Sequence, residues 1–562
     1  MMRGVTFPAW FGDVRLQRAL LLLLTVATFL GATQAAYVWD DRPLVVDNLW
    51  LADGPSLLGA FGVDLWETAN VSPADQHSGY YRPLFLWSLA LDNAAHGLSS
   101  VGAHAQNLLW HLVAVTALHA LLLRFFGSFS ALLGALLFAV HPVQSEAVVW
   151  VAARSDLMAA AFGLAALVLL LAPQVDRRRL GWAGLLAFCA VLSKESAVLL
   201  PFLLLVLDLG SGGLRERSRY VALFVPLLAY LVLRSVVGVS GPSGPDWGAW
   251  LALGSSFPAV LGEYSQMLMW PDTLSVARDL ETLGALHTAR AVAVGTLFLA
   301  LAAAIVWGTQ RRWAIAGLGL ALFTFIPCLA AIADKGLLGE RYLYLPLAGL
   351  GVMLANTCRR HVTWGLFAVV FVGLSVQRTG DRLLDWRDEQ TLWVATLQVT
   401  PGTFAEMSYG HALRAAEYNL AAHQRFRRSL EGQPPRHGAC ENVIGSALAA
   451  NRLDLAITGA MMAEQRGCDS LDFHAYFAVC RAFAGQWALA EARALQGKGD
   501  SRGRSALVLA AAQIVSGRAQ GYEDLKQFET RRFDAREQVA TMLRKGDQPD
   551  LADRVLAMGA QP

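Results

Sequence analysis

The sequence predicts an all-α protein in two parts: a polytopic membrane domain of about eleven helical spans, then a soluble domain of short helical repeats. Three observations predict it. Of 562 residues, 55% are hydrophobic and only 16% charged, whereas soluble domains carry roughly a quarter charged residues. Long apolar runs recur up to residue 377 and then stop, while Arg, Glu, Asp and Gln become frequent. In the tail, "NRLDLA" (451–456) and "GQWALA" (485–490) align at a spacing of 34 residues. Domains are therefore expected at 1–377 and 378–562.

A helix needs about 20 apolar residues to cross a bilayer, fewer where protein shields it. Eleven candidates follow, at 19–37, 104–124, 128–143, 156–173, 180–193, 196–210, 219–238, 288–308, 313–333, 341–358 and 362–377. Arginine clusters sit on alternate connections: Arg15/Arg18, Arg124, Arg177–Arg179, Arg215/Arg217/Arg219, Arg311/Arg312 and Arg359/Arg360. The positive-inside rule then puts the N-terminus inside and, after eleven crossings, the C-terminus outside. Segment 257–270 would break that parity by crossing, so it is expected as an interfacial or re-entrant helix, as is 83–97. Residues 38–103 form an extracytoplasmic loop. Trp39, Trp66, Trp150 and Trp270 fall near span boundaries, where amphipathic rings prefer to sit. The first apolar run, with its small residues near Ala35, is read as an uncleaved signal anchor because polar sequence and further spans follow it.

The net charge of +2 excludes little. The 34-residue period of the tail is that of tetratricopeptide repeats, which stack into a concave surface suited to extended polypeptide. A weaker unit lies near 404–424, and a generic helical bundle is the competing reading. Cys189, Cys328 and Cys358 lie in or near apolar spans. Cys440, Cys468 and Cys480 lie in the tail, where one pair is open to bridging in an oxidising compartment.

The expected topology gathers polar residues at the outer face: Asp40, Asp41, Tyr80–Pro83, His104, His141, Glu146, Arg154, Asp156, Lys194, Glu195, Glu340 and Arg341. Ionisable groups at membrane depth are costly and point to function. A carboxylate whose pKa is raised by a neighbouring acid suits a general base, which fits the adjacent pair Asp40 and Asp41. Cationic side chains at such a rim suit an anionic group, Arg best of all. Arg341 is the first candidate, Arg234 the second and Lys194 a third, against local pairing of Lys194 with Glu195 and of Arg341 with Glu340. His104, Asn107 and His111 share one helix face. Without an HxxxH or CxxC spacing they are read as polar helix contacts rather than metal ligands. Arg154 and Asp156 are expected to pair with the His141–Glu146 turn and shape the cavity, with Tyr81 and Arg82 bracing the acidic loop. "NVS" at 70–72 matches a glycosylation sequon.

The order of motifs carries more than any one of them. "YVWDDRPLVVDN" is followed by "SGYYRPLFLWSLALD", "HAQNLLWHLVAV" and "LFAVHPVQSEAVVWVAARSDLMA". Then come "LSKESAVLLP", "YLVLRSVVG", "GERYLYLPLAGLG" and "DWRDEQTLWVATLQVTP". The series resembles the transmembrane-and-TPR O-mannosyltransferase family across about residues 37–405, and the tail agrees in type. The resemblance implies a GT-C glycosyltransferase fold and transfer of a sugar, mannose or another hexose, from a polyprenyl-phosphate carrier to a hydroxyl acceptor, with Ser/Thr of an exported protein as the expected acceptor. It places catalysis on Asp40 and Asp41, with Asp41 preferred as the base. It implies a lipid-linked sugar donor, a protein or peptide acceptor guided by the repeats, and no nucleic acid, and it leaves a divalent metal open. The Ala/Gly/Arg-rich composition and compact loops suggest a bacterial relative, set in the inner membrane with its active site and tail on the periplasmic face. The competing readings are a non-catalytic repeat-bearing assembly factor and a transporter. Transporters carry mid-span charges and internal symmetry, and neither is evident here.

Overall fold

Apolar runs that end on good caps become helices. A computed structural model of the chain describes residues 13–54, 58–69, 79–239, 245–280, 285–359, 362–432, 438–529 and 535–557. The sequon at 70–72 lies outside the described residues. The chain divides into two compact units, 1–400 and 401–562.

The first unit runs α1 Val14–Phe29, α2 Leu49–Ala52, α3 Pro83–His96, α4 Ser100–Leu122, α5 Ser128–Val140, α6 Gln144–Val149, α7 Arg154–Leu170 and α8 Arg177–Ser193. It continues with α9 Leu200–Ser211, α10 Arg217–Val237, α11 Trp247–Met269, α12 Ala285–Gly308, α13 Arg311–Lys335, α14 Pro346–Cys358, α15 Val362–Asp385 and α16 Glu389–Val399. Asp13, Asp176 and Asp246 cap α1, α8 and α11 by accepting backbone N–H bonds, satisfying donors that a helix start leaves open. Gly212, Gly238 and Gly336 close α9, α10 and α13 in the left-handed region, where a side chain would be strained.

Five helical stretches among the described residues are long and apolar enough to cross a membrane: Val14–Gln34, Ser100–Leu122, Val151–Leu170, Arg217–Val237 and Arg311–Lys335. The chain is a multi-pass membrane protein. Two further apolar helices of this unit are shorter, Ser128–Val140 and Pro346–Cys358, and the 24-residue α12 is apolar over Val292–Gly308. The expected spans at 180–193 and 196–210 fall on α8 and α9, which are 17 and 12 residues long, and the one at 362–377 falls on α15. The expected re-entrant segment 257–270 is the second half of a longer helix, α11, of 23 residues. Segment 83–97 forms α3.

The core of this unit is a packed set of α4, α5, α7 and α14, with Phe138, Val140, Leu157, Leu164, Leu347 and Val352 almost fully buried. Small residues let the helices approach closely, since apolar lipid supplies little drive for helix association. A Cβ on Gly349 would sit 2.5 Å from both Ala321 N and Gly317 O of α13. Gly349→Val is therefore expected to cost about 1–3 kcal/mol by overpacking, read as a lowered unfolding temperature in detergent. An unchanged midpoint would contradict this close crossing.

A short antiparallel pair, β1 Arg278–Asp279 and β2 Leu337–Leu338, ties the end of α13 to the segment after α11. The Tyr264 hydroxyl of α11 donates to Gly339 O at 3.2 Å. Together they hold the turn that carries Glu340 and Arg341. The expected boundary at 377 fell where hydropathy drops, but α15 runs on to Asp385, using Arg378 to bond the carbonyls of Pro271 and Asp272.

The second unit is a succession of helix hairpins: α17 Thr403–Ala415 with α18 Asn419–Ser429, α19 Ala439–Ala449 with α20 Leu453–Gln465, α21 Leu471–Phe483 with α22 Trp487–Gln496, α23 Arg504–Val515 with α24 Gln520–Glu529, and α25 Ala535–Lys545 with α26 Pro549–Ala557. Each turn holds a left-handed residue, namely Glu417, Asn451, Gly485, Gly517 and Asp547. After each, the next N–H bonds back to the carbonyl five residues earlier, as from Tyr418 to Leu413, Arg452 to Ala447 and Gln486 to Arg481. This is the Schellman closure of a helix. Five residues after three of these turn positions stand the buried Ala422, Ala456 and Ala490, where a small side chain lets paired helices meet. Cys440 and Cys468 form a disulfide, and Cys480 is free and buried.

Candidate active site

The antiparallel helices bring the C-terminal ends of α1, α5, α8 and α13 and the N-terminal ends of α4 and α7 to one end of the first unit, and the expected polar residues meet there. Asp40 and Asp41 follow α1, in a turn whose residue Trp39 has φ 55°. A bulky aromatic residue in the left-handed region is strained, and strain of this kind collects at functional sites. Trp39 is held by stacking on Trp150 at 4.6 Å between centroids and by an edge contact with Trp393 at 5.5 Å.

The turn sends the two acids in different directions. Asp41 points inward and is fully buried. Its Oδ1 accepts from Ala152 N at 2.8 Å and its Oδ2 from Val38 N at 3.2 Å. Asp40 is only partly buried and makes no side-chain hydrogen bond among the described residues. Burial raises its carboxyl to about 6, and the nearby Arg341 guanidinium holds it from rising further. Burial pushes Asp41 up to about 8 against the pull of the Ala152, Val38 and Val151 N–H groups, with the charge on Asp40 adding to the rise. Adjacent carboxyls thus titrate apart, the pattern that separates a working base from its neighbour. The preference for Asp41 as the base meets a geometric obstacle, because its oxygens are already committed to the backbone.

Arg341 stands beside Asp40. Its guanidinium lies 4.8 Å from the Trp150 ring centroid, 4.8 Å from that of Tyr342 and 5.6 Å from that of Trp39. Fully buried Glu146 pairs with Arg341 Nη1 and accepts from the Arg341 backbone N–H at 3.0 Å. The side chain so anchored is still 19% exposed.

The local pairings weighed against a phosphate-binding role do not form. Arg341 pairs with Glu146 rather than with Glu340. Glu340 turns away to Arg382 of α15 at 2.8 Å, and both side chains are fully buried. Lys194 pairs with Asp156 at 2.6 Å rather than with Glu195, which instead receives Arg82 Nε at 2.9 Å and the Tyr81 N–H at 3.1 Å. Neighbours in sequence project apart at a helix end, so each finds its partner on another element. Arg154 does not reach the His141–Glu146 turn. It pairs with Asp92 at 2.7 Å and donates to Asn107 Oδ1 at 2.7 Å, Ser88 Oγ and Ala103 O.

Several expected site residues are structural in this arrangement. Asn107 donates to the carbonyls of Val148 and Trp150, so it joins Arg154 to the strand of chain that carries Trp150. His104 contacts Ser100 O at 2.6 Å, His111 meets Tyr344 and Ala139, and His141 meets Leu268 O at 3.1 Å. All three histidines are fully buried. Among the described residues no group of three or more His, Cys, Asp or Glu is placed to hold a metal ion. Arg234 donates to Gly79 O at 2.8 Å and Val239 O at 3.2 Å, closing the end of α10. The Tyr81 hydroxyl donates to Phe61 O. Sequence reasoning missed Asp92, Tyr342, Arg382 and Trp393. A charge on an apolar helix face was the available signal for Asp92 and Arg382.

No protein-family model and no solved structure matches the chain. Curated proteins do. The chain is 26% identical over 412 residues to a protein O-mannosyl-transferase of Caenorhabditis elegans, an alignment covering 69% of this chain and 58% of that protein. It is 24% identical over 501 residues to the Homo sapiens protein O-mannosyl-transferase TMTC3, covering 79% and 54%. With human TMTC4 it shares 24% identity over 454 residues, covering 67% and 61%. The chain spans little more than half the length of these relatives. Across two thirds or more of its own length it is similar to proteins named protein O-mannosyl-transferases.

Proposed function

We propose that the chain is an integral membrane glycosyltransferase that moves a hexose, mannose in the first instance, from a polyprenyl-phosphate carrier to a Ser or Thr hydroxyl of an exported protein. The observation that carries this is the placement of a partly exposed Asp40, whose carboxylate makes no hydrogen bond among the described residues, beside a fixed, partly exposed Arg341. The similarity to named protein O-mannosyl-transferases supports it. The acceptor oxygen attacks the anomeric carbon, its proton passes to Asp40, and the bond from that carbon to the phosphate oxygen breaks. The departing polyprenyl phosphate keeps the electron pair, and Arg341 meets its charge. A phosphate leaves without a general acid, so one base suffices, unlike the two carboxyl groups of glycosidases. Preorganised cations of this kind act without reorganising during reaction.

The GT-C fold, the eleven crossings and a bacterial inner membrane with the site on its periplasmic face belong to the same proposal. The Cys440–Cys468 disulfide supports an oxidising compartment for the second unit. Its hairpins support a repeat surface of the tetratricopeptide kind that guides a polypeptide acceptor. An assembly-factor reading accounts for these hairpins but leaves the Asp40–Arg341 arrangement without a role.

Asp40 must be ionised to accept a proton, so lowering the pH through its pKa protonates it and stops the reaction. The kcat/KM of transfer is expected to rise with pH through about 6 and then level. A profile that falls across this range would contradict Asp40 as the base.

A further inference from the structure

The same end of the first unit holds a second polar group that the chemistry above does not use. Ser155 and Asp156 open α7, Lys194 and Glu195 follow α8, and Arg82 precedes α3. Lys194 Nζ reaches both oxygens of Asp156 at 2.6 Å. Arg82 donates through Nε to Glu195 at 2.9 Å and through Nη1 to Ser155 Oγ at 3.3 Å. Its guanidinium lies 4.8 Å from the Tyr80 ring centroid. These four charged side chains are 14–23% exposed, neither sealed in the core nor extended into solvent. By contrast, the Arg154–Asp92 and Arg382–Glu340 pairs are at most 1% exposed.

The quartet carries two positive and two negative charges, so it has no net charge to attract a phosphate. Its hydrogen-bonding capacity is not exhausted. Lys194 has a third N–H, Arg82 has further N–H groups, and each carboxylate oxygen keeps a second lone pair. Donors and acceptors alternate within a small area. A hydroxyl group both donates and accepts, so a neutral polyol matches such a surface where an anion does not. The quartet is also in electrostatic range of the phosphate candidate. Arg341 feels the charge of Asp156, and Cys328 lies within range of Lys194, Asp156 and Arg341 together.

We infer that Asp156 and Lys194, with Glu195 and Arg82 beside them, form the subsite that holds the hydroxyl groups of the transferred sugar, distinct from the Arg341 phosphate subsite. The inference rests on the proposed transferase reading and deepens it. Removal of Asp156 alone would strand Lys194, so the test uses the charge-conserving pair Asp156→Asn with Lys194→Met in the full-length chain, with Arg341→Met in parallel.

Binding of polyprenyl-phosphate mannose and of sugar-free polyprenyl phosphate is measured for each. The doubly substituted chain is expected to bind the mannose-bearing lipid about tenfold more weakly or worse, the scale of lost hydrogen bonds to charged groups, and to bind polyprenyl phosphate as the wild type does. Arg341→Met is expected to weaken both. Equal loss of both lipids in the doubly substituted chain, or no loss of either, overturns the sugar subsite while leaving the transferase reading standing. A wild-type chain that binds neither lipid overturns both.

Discussion

Asp40→Asn lowers transfer by roughly 10²–10⁴-fold, the usual worth of a positioned general base, and leaves the fold intact. Asparagine keeps the size of the side chain but cannot take a proton. Asp40 makes no hydrogen bond that the change would break among the described residues, so the unfolding midpoint stays where it was. Asp41→Asn has the opposite profile. Its oxygens accept from Ala152 and Val38 N–H groups, and one of these donors would now face an amide. That costs about 1–3 kcal/mol of stability, while a substantial part of the transfer rate remains. Turnover and thermal unfolding measured on both variants separate the two acids. Full activity in Asp40→Asn would remove the base from the mechanism.

The largest effect on stability is expected at Arg154. Its guanidinium is fully buried and joins Asp92, Asn107, Ser88 and Ala103. Arg154→Met takes the close cation from buried Asp92 and leaves it only His96, at 3.5 Å, at a cost of about 3–5 kcal/mol. The doubly substituted chain Arg154→Met with Asp92→Asn removes both charges and recovers part of that loss, because the two sites share one interaction. Thermal unfolding in detergent checks the order. A double variant less stable than Arg154→Met would mean that the pair does not act as a unit. Asn107 also donates to Trp150 O, and Trp150 stacks on Trp39. The damage therefore extends to the turn that presents Asp40, and activity falls with stability.

The assembly of the rim was legible in the sequence, and its internal wiring was not. Alternating Arg clusters and apolar runs place Asp40, Glu146, Lys194 and Arg341 at helix ends, and the structure collects those ends. Which charge meets which depends on helix phase and on the crossing of elements far apart in sequence. Glu146 and Arg341 are separated by 195 positions, and their pairing follows from β1 and β2 fixing the turn after α13. Asp40 and Asp41 could not be ranked from spacing, because Trp39 takes a left-handed conformation that no helical or strand period anticipates. The hairpins of the second unit were legible where buried alanines and glycine turns repeat. The first hairpin was weaker in sequence because Glu417 fills the left-handed position that Gly485 fills later. The end of the first unit was misplaced by hydropathy alone, since α15 continues as an amphipathic helix carrying Arg378 and Arg382.

The central claim is most directly tested by incubating the purified full-length chain, reconstituted in lipid, with labelled polyprenyl-phosphate mannose and a Ser/Thr-rich polypeptide. The account predicts label on a serine or threonine hydroxyl, with release of polyprenyl phosphate, and no label when Asp40→Asn replaces the wild type. Absence of transfer by the wild-type chain from any polyprenyl-phosphate hexose, or equal transfer by Asp40→Asn, would contradict it.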